Sequence, residues 1–169
     1  SRKGGKTMGK LYVRVDDRLI HGQTIVAWCP TLGIQEIIAV DDVSAANPML
    51  KSILTMGVPK NYKTGIVTTQ EAKELLAEGS DKTRLLIVKF PQKLEELGQE
   101  ILGCEKLILG NLAKRPDTVH KVSGATGIFY LSDKDVEILD GLAESGVEVV
   151  FHQLPTSAKT TWKDFKATL

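Results

Sequence analysis

The sequence predicts an α/β fold in which helices cover both faces of a mostly parallel sheet of about seven strands. Short apolar runs alternate with amphipathic, helix-like segments along the whole chain. The run at residues 85–88 is apolar throughout, as expected for a strand that is buried on both faces of a parallel sheet. There is no internal repeat and no shift in composition that would mark a second domain.

The composition is that of an ordinary folded domain. The chain has 169 residues, of which 42% are hydrophobic and 25% charged, so it can bury a core and is not disordered. The formal net charge of +1 argues against a nucleic-acid-binding protein. No apolar run approaches the ~20 residues of a membrane span. We expect one domain over residues 8–169.

The first seven residues, SRKGGKT, form a basic leader ahead of Met8. We expect residues 1–7 to be the remnant of a tag or linker, the alternative being a native basic linker. Cys29 and Cys104 lack CxxC or metal-ligand spacing, which indicates reduced thiols in a cytoplasmic protein. No metal site, cofactor motif or glycine-rich nucleotide loop is predicted.

The first half of the chain predicts strands and helices in turn. Pro30 and Gly33 are expected to end the first helix, and Pro48 lies in the first turn of the second. Thr68 or Thr69 is positioned to cap the third. The predicted elements are strand 11–13, helix 23–28, strand 34–40, helix 45–56, strand 65–67 and helix 70–77.

The second half continues this alternation. Pro91 opens a helix, Ser132 caps another, and Gly146 ends it. Two strands around Ser123 and Gly124 predict a hairpin-like excursion from the sheet. The predicted elements are strand 84–88, helix 91–102, strand 106–109, hairpin strands 119–122 and 126–131, helix 133–145, strand 147–151 and a short helix around 162–165.

The most informative segment follows the first strand, where residues 14–21 contain two arginines, two aspartates and a histidine. The helix that begins behind this polar loop presents unpaired N–H groups and the positive end of its dipole. Such a helix start attracts phosphate. We therefore hypothesise that His21 carries a phosphoryl group, with Arg14 and Arg18 around the phosphoryl oxygens.

Each of these residues also has a structural interpretation. Arg14 and Arg18 can instead form surface ion pairs with Asp16 and Asp17, each worth ~0–1 kcal/mol. A phosphate carrier needs one imidazole nitrogen as the nucleophile and a partner on the other. That partner can be either aspartate or a backbone carbonyl.

Residues after His21 and at other strand ends complete the predicted site. Gln23 and Thr24 either bind the phosphate or cap the helix. In parallel sheets, sites form beyond the carboxyl ends of the strands. Thr68 and Asn111 each follow a strand and are therefore candidate edges of the site. His152 is a weaker candidate, and Asp41 and Asp42 mainly indicate a helix cap.

The run R-x-D-D-R-L-I-H-G-Q, starting at Arg14, strongly resembles the active-site signature of the enzyme IIB component of bacterial sugar phosphotransferase systems of the mannose/fructose/sorbose family. The resemblance extends from about residue 9 to residue 155 through IIAV-DD, MGVP followed by G-I-V-T-T, LGN and G-V-E-V-V-x-x-Q-L-P. Two departures stand out. Many members read Asn-Val-Gly-Asn where this chain has ILGN at 108–111, and Lys114-Arg115-Pro116 also differs.

The resemblance implies a phosphocarrier that accepts a phosphoryl group from a histidine of a IIA partner onto His21. The group then passes to a sugar carried across the membrane by the IIC and IID components. The family's loop residues correspond to Arg14, Asp16, Asp17, Arg18, Gly22 and Gln23. The implied setting is the cytoplasm, peripherally associated with the transporter, with a homodimer as one arrangement and no nucleic acid.

Two other functions are compatible with the residues. One is a non-catalytic regulatory module on the same fold, in which the loop senses an anion and transfers nothing. The other is a hydrolase that uses His21 as a general base. No second catalytic group with suitable spacing supports the hydrolase.

Overall fold

The computed structural model describes residues 2–3, 6–7 and 9–169. The strands are β1 (Arg2–Lys3), β2 (Lys6–Thr7), β3 (Leu11–Asp16), β4 (Glu36–Val40), β5 (Lys63–Val67), β6 (Arg84–Val88), β7 (Lys106–Asn111), β8 (Thr118–Lys121), β9 (Tyr130–Ser132), β10 (Val149–Phe151) and β11 (Thr160–Thr161). The helices are α1 (Gly22–Leu32), α2 (Asp42–Ala45), α3 (Pro48–Thr55), α4 (Thr69–Glu78), α5 (Pro91–Leu97), α6 (Asp133–Glu144) and α7 (Trp162–Lys166). A 3-10 turn, Gly98–Ile101, follows α5.

The main sheet has seven strands in the order β11-β10-β7-β3-β6-β4-β5. All neighbouring strands are parallel except β10 and β11, which confirms the predicted fold class. From β3 the chain passes to β4 on one side, and after β6 it crosses to β7 on the other. The sheet therefore has a topological switch point at β3, the position at which such sheets form their sites.

Helices cover both faces of this sheet because successive side chains of a strand point to opposite faces. Val13 and Val15 of β3 pack with buried residues of α4, α5 and α6. The other face packs against α1, whose Ile25 and Cys29 contact Ile37 and other residues of β4, β5 and β6. A helix on each face thus holds the central strand in place.

Three predicted helices have different limits in the structure. The helix predicted at 91–102 ends at Leu97, where the 3-10 turn follows. Helix α1 continues through Pro30, which lies in its last turn, and ends at Gly33 in the left-handed conformation with φ 68°. The glycine, and not the proline, therefore ends this helix. The predicted helix 45–56 begins only at Pro48, because Asn47 caps α3 by accepting from the amides of Met49 and Leu50, and Ala45 ends the separate helix α2. The helical conformation is also unfavourable for Asn47 itself, because Asn47 precedes a proline.

The predicted hairpin and helix caps are confirmed. Strands β8 and β9 pair antiparallel outside the main sheet. Ser132 caps α6 in a reciprocal capping box with Asp135. The short helix predicted near the end of the chain is α7.

The leader and the start of the predicted domain are described only in part. Strands β1 and β2 pair antiparallel with each other. Ser1, Gly4, Gly5 and Met8 lie outside the described residues, so the tag-or-linker expectation stays a prediction. In the described ranges, no helix is both long and apolar enough to cross a bilayer. Those ranges also hold no cluster of three His, Cys, Asp or Glu side chains suited to a metal ion.

Gly9 positions the start of the central strand. Its amide donates to the carbonyl of Ser80 at 2.8 Å. A Cβ added at Gly9 would lie 2.0 Å from the carbonyl oxygen of Lys82. Because that neighbour is backbone, it cannot turn aside as a flexible side chain would.

We expect Gly9→Ala to lower the free energy of unfolding by about 1–3 kcal/mol, the cost typical of overpacking. The measurement is urea denaturation followed by circular dichroism. Gly103→Ala is the matched control because a Cβ at Gly103 has no neighbour within 4 Å. Equal stability of the two variants would contradict the prediction.

Candidate functional site

A tight turn connects β3 to α1 at the switch point. The amide of Leu19 donates to the carbonyl of Asp16 at 2.9 Å, and the amide of Asp17 donates to the carbonyl of Asn111 at 3.1 Å. Leu19 has φ 64°, a left-handed conformation that is unusual for a branched side chain. Leu19 and Ile20 are both buried in the core beneath α1, so they anchor the turn.

The centre of the turn is the buried carboxylate of Asp16. Arg18 contacts both oxygens, with Nε 3.0 Å from Oδ1 and Nη2 2.9 Å from Oδ2. The Arg18 amide also donates to Oδ1 at 3.0 Å. Arg14 approaches from the other side, with Nη2 3.4 Å from Oδ2. Two guanidinium groups thus share one carboxylate, which leaves the cluster with a net positive charge.

Arg14 lies behind this cluster and is almost fully buried. It donates to the carbonyls of His152 at 3.3 Å and Gln153 at 3.0 Å, and its guanidinium lies 5.6 Å from the ring centre of Trp28. Burial lowers the pKa of Arg14 to about 10, and the Asp16 carboxylate opposes that shift, so the group stays cationic near neutral pH. This position corrects the hypothesis that Arg14 surrounds the phosphoryl oxygens: Arg14 supports Asp16 from the interior.

Asp17 ties the turn to the neighbouring strand β7. Its Oδ1 accepts from Nδ2 of Asn111 at 2.6 Å, and its Oδ2 accepts from the amide of Ala113 at 2.8 Å. Asn111 therefore contacts the turn that precedes His21, and its role as an edge of the site stays a prediction. Since Asp16 and Asp17 bond to these other groups, the expectation that either one orients the His21 ring is wrong.

His21 occupies the N-cap position of α1. Its backbone is extended, with φ −125° and ψ 119°, and its carbonyl accepts from the Ile25 amide at 3.1 Å. The imidazole does not cap the helix, and the first turn has no acidic side chain. Nδ1 is buried, and no group in the described ranges hydrogen-bonds to it. The ring thus lies beside a helix start whose own first turn contributes no acidic side chain.

The residues that follow His21 shape the entrance to this helix. Gly22 begins α1, Gln23 is exposed, and Thr24 is buried with its Oγ1 3.4 Å from Nη2 of Arg18. The Arg18 side chain remains 33% exposed. The hydrogen bond to Asp16 is the main cause of a raised pKa for Arg18, so the guanidinium stays positively charged at the helix start. An anion bound here would meet Arg18 and the first-turn amides together.

Thr68 does not join this group. It caps α4 through a reciprocal capping box with Glu71, and it follows β5, the outer strand on its side of the sheet. Two strands, β6 and β4, separate β5 from β3. Asp41 likewise caps α2, by accepting from the Ser44 amide. The sequence places these residues on the correct edge of the sheet, but the strand order moves them away from His21.

The sequence did not reveal the groups that hold the Arg14 guanidinium from the interior. Trp28 from α1 and the carbonyls after β10 surround this guanidinium. A Cβ on Gly110 would lie 2.1 Å from Nη2 of Arg14, so β7 needs glycine at this point. Gly110 was the available signal, because a glycine within a strand often marks a close approach.

His152 also lies in this layer. Its ring is edge-on to Trp28 with centroids 4.9 Å apart, and its Nε2 is 3.1 Å from the carbonyl of Ser157. Burial is the main cause of a lowered pKa for His152, with neighbouring cations adding to it. His152 therefore lies behind the site and does not form its edge.

Gly110→Ala is expected to displace Arg14 and lower the free energy of unfolding by about 2 kcal/mol or more, since overpacking and disturbed hydrogen bonds of a buried charge combine. Gly65→Ala, in another strand, is the matched control, because its Cβ would make only an ordinary 3.8 Å contact. Thermal and urea unfolding of both variants test this. A Gly110→Ala protein as stable as Gly65→Ala would contradict it.

The pKa of His152 also predicts a pH dependence of stability. The folded protein holds a proton on His152 less tightly than the unfolded chain does. Stability is therefore lost as the pH falls from the ordinary value of 6.5 through the lower folded pKa. Unfolding free energies at pH 7.5 and 5.5 should show a smaller decline for His152→Gln than for the wild type. An identical slope for His152→Gln and the wild type would refute the assignment.

Comparison with known proteins gives a family for this arrangement. Residues 10–168 match the family described as PTS system sorbose subfamily IIB component. The N-acetylgalactosamine-specific phosphotransferase enzyme IIB component 1 of Escherichia coli is 27% identical over 156 residues, covering 88% of this chain and 93% of that protein. The mannose-specific EIIAB component of Escherichia coli is 27% identical over 155 residues, covering 89% of this chain and 46% of that protein.

A solved structure agrees in fold. The IIBSor domain of the sorbose permease from Klebsiella pneumoniae superposes with a TM-score of 0.82 at 20% identity, over 95% of this chain and 98% of that one. These findings confirm the resemblance drawn from the motif at residues 14–23. Since the family match covers nearly the whole sequence, the chain belongs to the sorbose subfamily of PTS IIB components.

Proposed function

We propose that the protein is a phosphocarrier that accepts a phosphoryl group on His21 from a histidine of a IIA protein and donates it to a sugar during uptake. The observation that carries this proposal is the position of His21 at the N-cap of α1. Its imidazole lies beside a helix start whose first turn has no acidic side chain, and the guanidinium of Arg18 lies 3.4 Å from Thr24 in that turn. Family membership supports the same role.

Each transfer exchanges one bond to phosphorus for another. In the first, the P–N bond of the donor phosphohistidine breaks as a ring nitrogen of His21 bonds to phosphorus. In the second, the bond to His21 breaks as a sugar hydroxyl bonds to phosphorus, and the proton of that hydroxyl balances the one taken up by the departing imidazole. Nδ1 has no hydrogen-bond partner among the described groups, so no other residue engages this nitrogen.

The surrounding charges suit both steps. The negative charge on the transferring group is met by Arg18 and by the amides of Gly22, Gln23 and Thr24, which already lie in place. Asp16 and Arg14 keep Arg18 oriented, and Asp17 with Asn111 holds the turn against β7. The residues of the loop thus divide into one nucleophile, one phosphate-facing cation and a supporting set.

The proposal includes partners and a cellular location. The IIA protein is the phosphoryl donor, and the IIC and IID components present the sugar at the membrane. The protein would act in the cytoplasm at the transporter, with no cofactor and no metal of its own. The mannose-specific relative is named as an EIIAB component, which is consistent with a IIA partner for this chain.

The test is phosphoryl transfer in vitro from phosphoenolpyruvate through the general phosphotransferase proteins and the IIA protein of the same system. We expect one acid-labile, alkali-stable phosphate, mapped by mass spectrometry to the peptide containing His21. His21→Ala should abolish labelling, because no other imidazole of the described residues lies at this helix start.

His120→Ala is the control for loss of a histidine away from the site. His120 belongs to β8 of the hairpin and pairs with Asp133. The variant should be labelled like the wild type. Labelling retained in His21→Ala would remove His21 from the mechanism. A folded wild-type protein that takes up no phosphate would favour the anion-sensing module.

A further inference from the structure

One backbone oxygen lies between Trp28 and Arg14. The carbonyl of Gln153 accepts from the indole Nε1 of Trp28 at 2.8 Å and from Nη2 of Arg14 at 3.0 Å. A carbonyl oxygen has two lone pairs, so these two donors fill it. The indole ring also lies beside the guanidinium, 5.6 Å from ring centre to Cζ. Trp28 therefore contacts both the buried cation and the acceptor of that cation.

Trp28 also holds helix α1 against one half of the sheet. It packs with Ile108 of β7 and Val150 of β10. Ile25 of the same helix packs on the other side, with residues of β4, β5 and β6. His21, the N-cap of α1, precedes Trp28 by about two helical turns. A rotation or shift of α1 would therefore move the imidazole and the indole together.

The indole thus connects the two parts of the site that must meet during transfer. One part is the His21 ring at the start of α1. The other is the guanidinium of Arg18, which shares the carboxylate of Asp16 with Arg14. The separation of these two parts depends on how α1 lies against the residues that hold Arg14, and Trp28 makes that contact.

Resting on the function proposed above, we propose that Trp28 is a positioning residue for phosphoryl transfer. Its indole N–H connects α1 to the Gln153 carbonyl, and that carbonyl holds Arg14. Arg14 in turn holds the carboxylate to which the Arg18 guanidinium is bonded. Groups that are in place before the reaction lower its barrier, and a small displacement of them loses much of that gain. Trp28 acts through these neighbours and not on phosphorus itself.

The test substitution is Trp28→Phe, which removes the indole N–H and keeps an aromatic ring in the core. Trp162→Phe is the matched control, because Trp28 and Trp162 are 4% and 5% exposed and each donates from Nε1. The acceptor of Trp162 is Asp140, at 3.0 Å, and its ring packs in the core on the opposite face of the sheet. Both variants therefore lose the same group from a buried ring, but only Trp28 contacts the Arg14 cluster.

The experiment compares two phosphoryl donors. The first is the phosphorylated IIA protein of the same system, used over a range of concentrations. The second is phosphoramidate, which transfers its phosphoryl group to His21 as its P–N bond breaks and ammonia leaves. The small donor needs no docking surface, so it reports only the groups around His21.

For Trp28→Phe we expect the rate of labelling by phosphoramidate and the kcat with the IIA protein to fall together, by about 10-fold or more. The KM for the IIA protein should match the wild type, because Trp28 is buried and its substitution leaves the surface unchanged. Trp162→Phe should react like the wild type with both donors. Thermal unfolding of the two variants shows that each is folded at the assay temperature.

A Trp28→Phe protein that does not fold is replaced by the tryptophan analogue benzothienylalanine at position 28, in the Trp162→Phe protein. This analogue keeps the shape of the ring and has sulfur in place of the N–H. The same loss of rate is expected, relative to Trp162→Phe.

Three outcomes would overturn the proposal. One is a protein altered at position 28 that reacts as fast as Trp162→Phe with both donors. Another is an equal loss of rate in Trp28→Phe and Trp162→Phe, which would reflect stability alone. The third is a raised KM for the IIA protein with normal labelling by phosphoramidate, which would assign Trp28 to docking. Failure of the phosphocarrier function itself is distinct, because wild-type His21 would then accept nothing from the IIA protein.

Discussion

The carboxylate of Asp16, buried between two guanidinium groups, is the interaction on which the site depends. A lone buried carboxylate would be costly, and here two cations and a backbone amide satisfy it. Arg14 is buried and Arg18 is partly exposed, and both contact Asp16. The packed interior therefore fixes the position of a cation at the surface. The orientation of Arg18 beside His21 is thus a consequence of packing in the interior.

That interior is itself assembled from distant segments. Arg14 bonds to carbonyls that follow β10, and its ring partner Trp28 comes from α1. Gly110 leaves the space that the guanidinium occupies. On the outer side, Asn111 and Ala113 hold Asp17. The turn between β3 and α1 is therefore braced on both sides by strands β7 and β10, which lie next to each other in the sheet.

The sequence by itself determined the alternation of strands and helices, a cap at Thr68 or Thr69, the cap at Ser132, and the loop that contains His21. These features are local, because hydrophobic period, capping side chains and turn residues act over a few positions. The same local reasoning took Pro30 for a helix end, although a proline near the last turn removes only one hydrogen bond.

Only the tertiary structure decided which strand ends meet. Asn111 reached Asp17 because β7 lies beside β3, whereas Thr68 stayed apart because β4 and β6 lie between β5 and β3. Arg14 faces the interior because Trp28 of α1 and the carbonyls after β10 lie there to receive its guanidinium. Strand order and burial arise from contacts between residues far apart in the chain, and no short stretch of sequence contains that information.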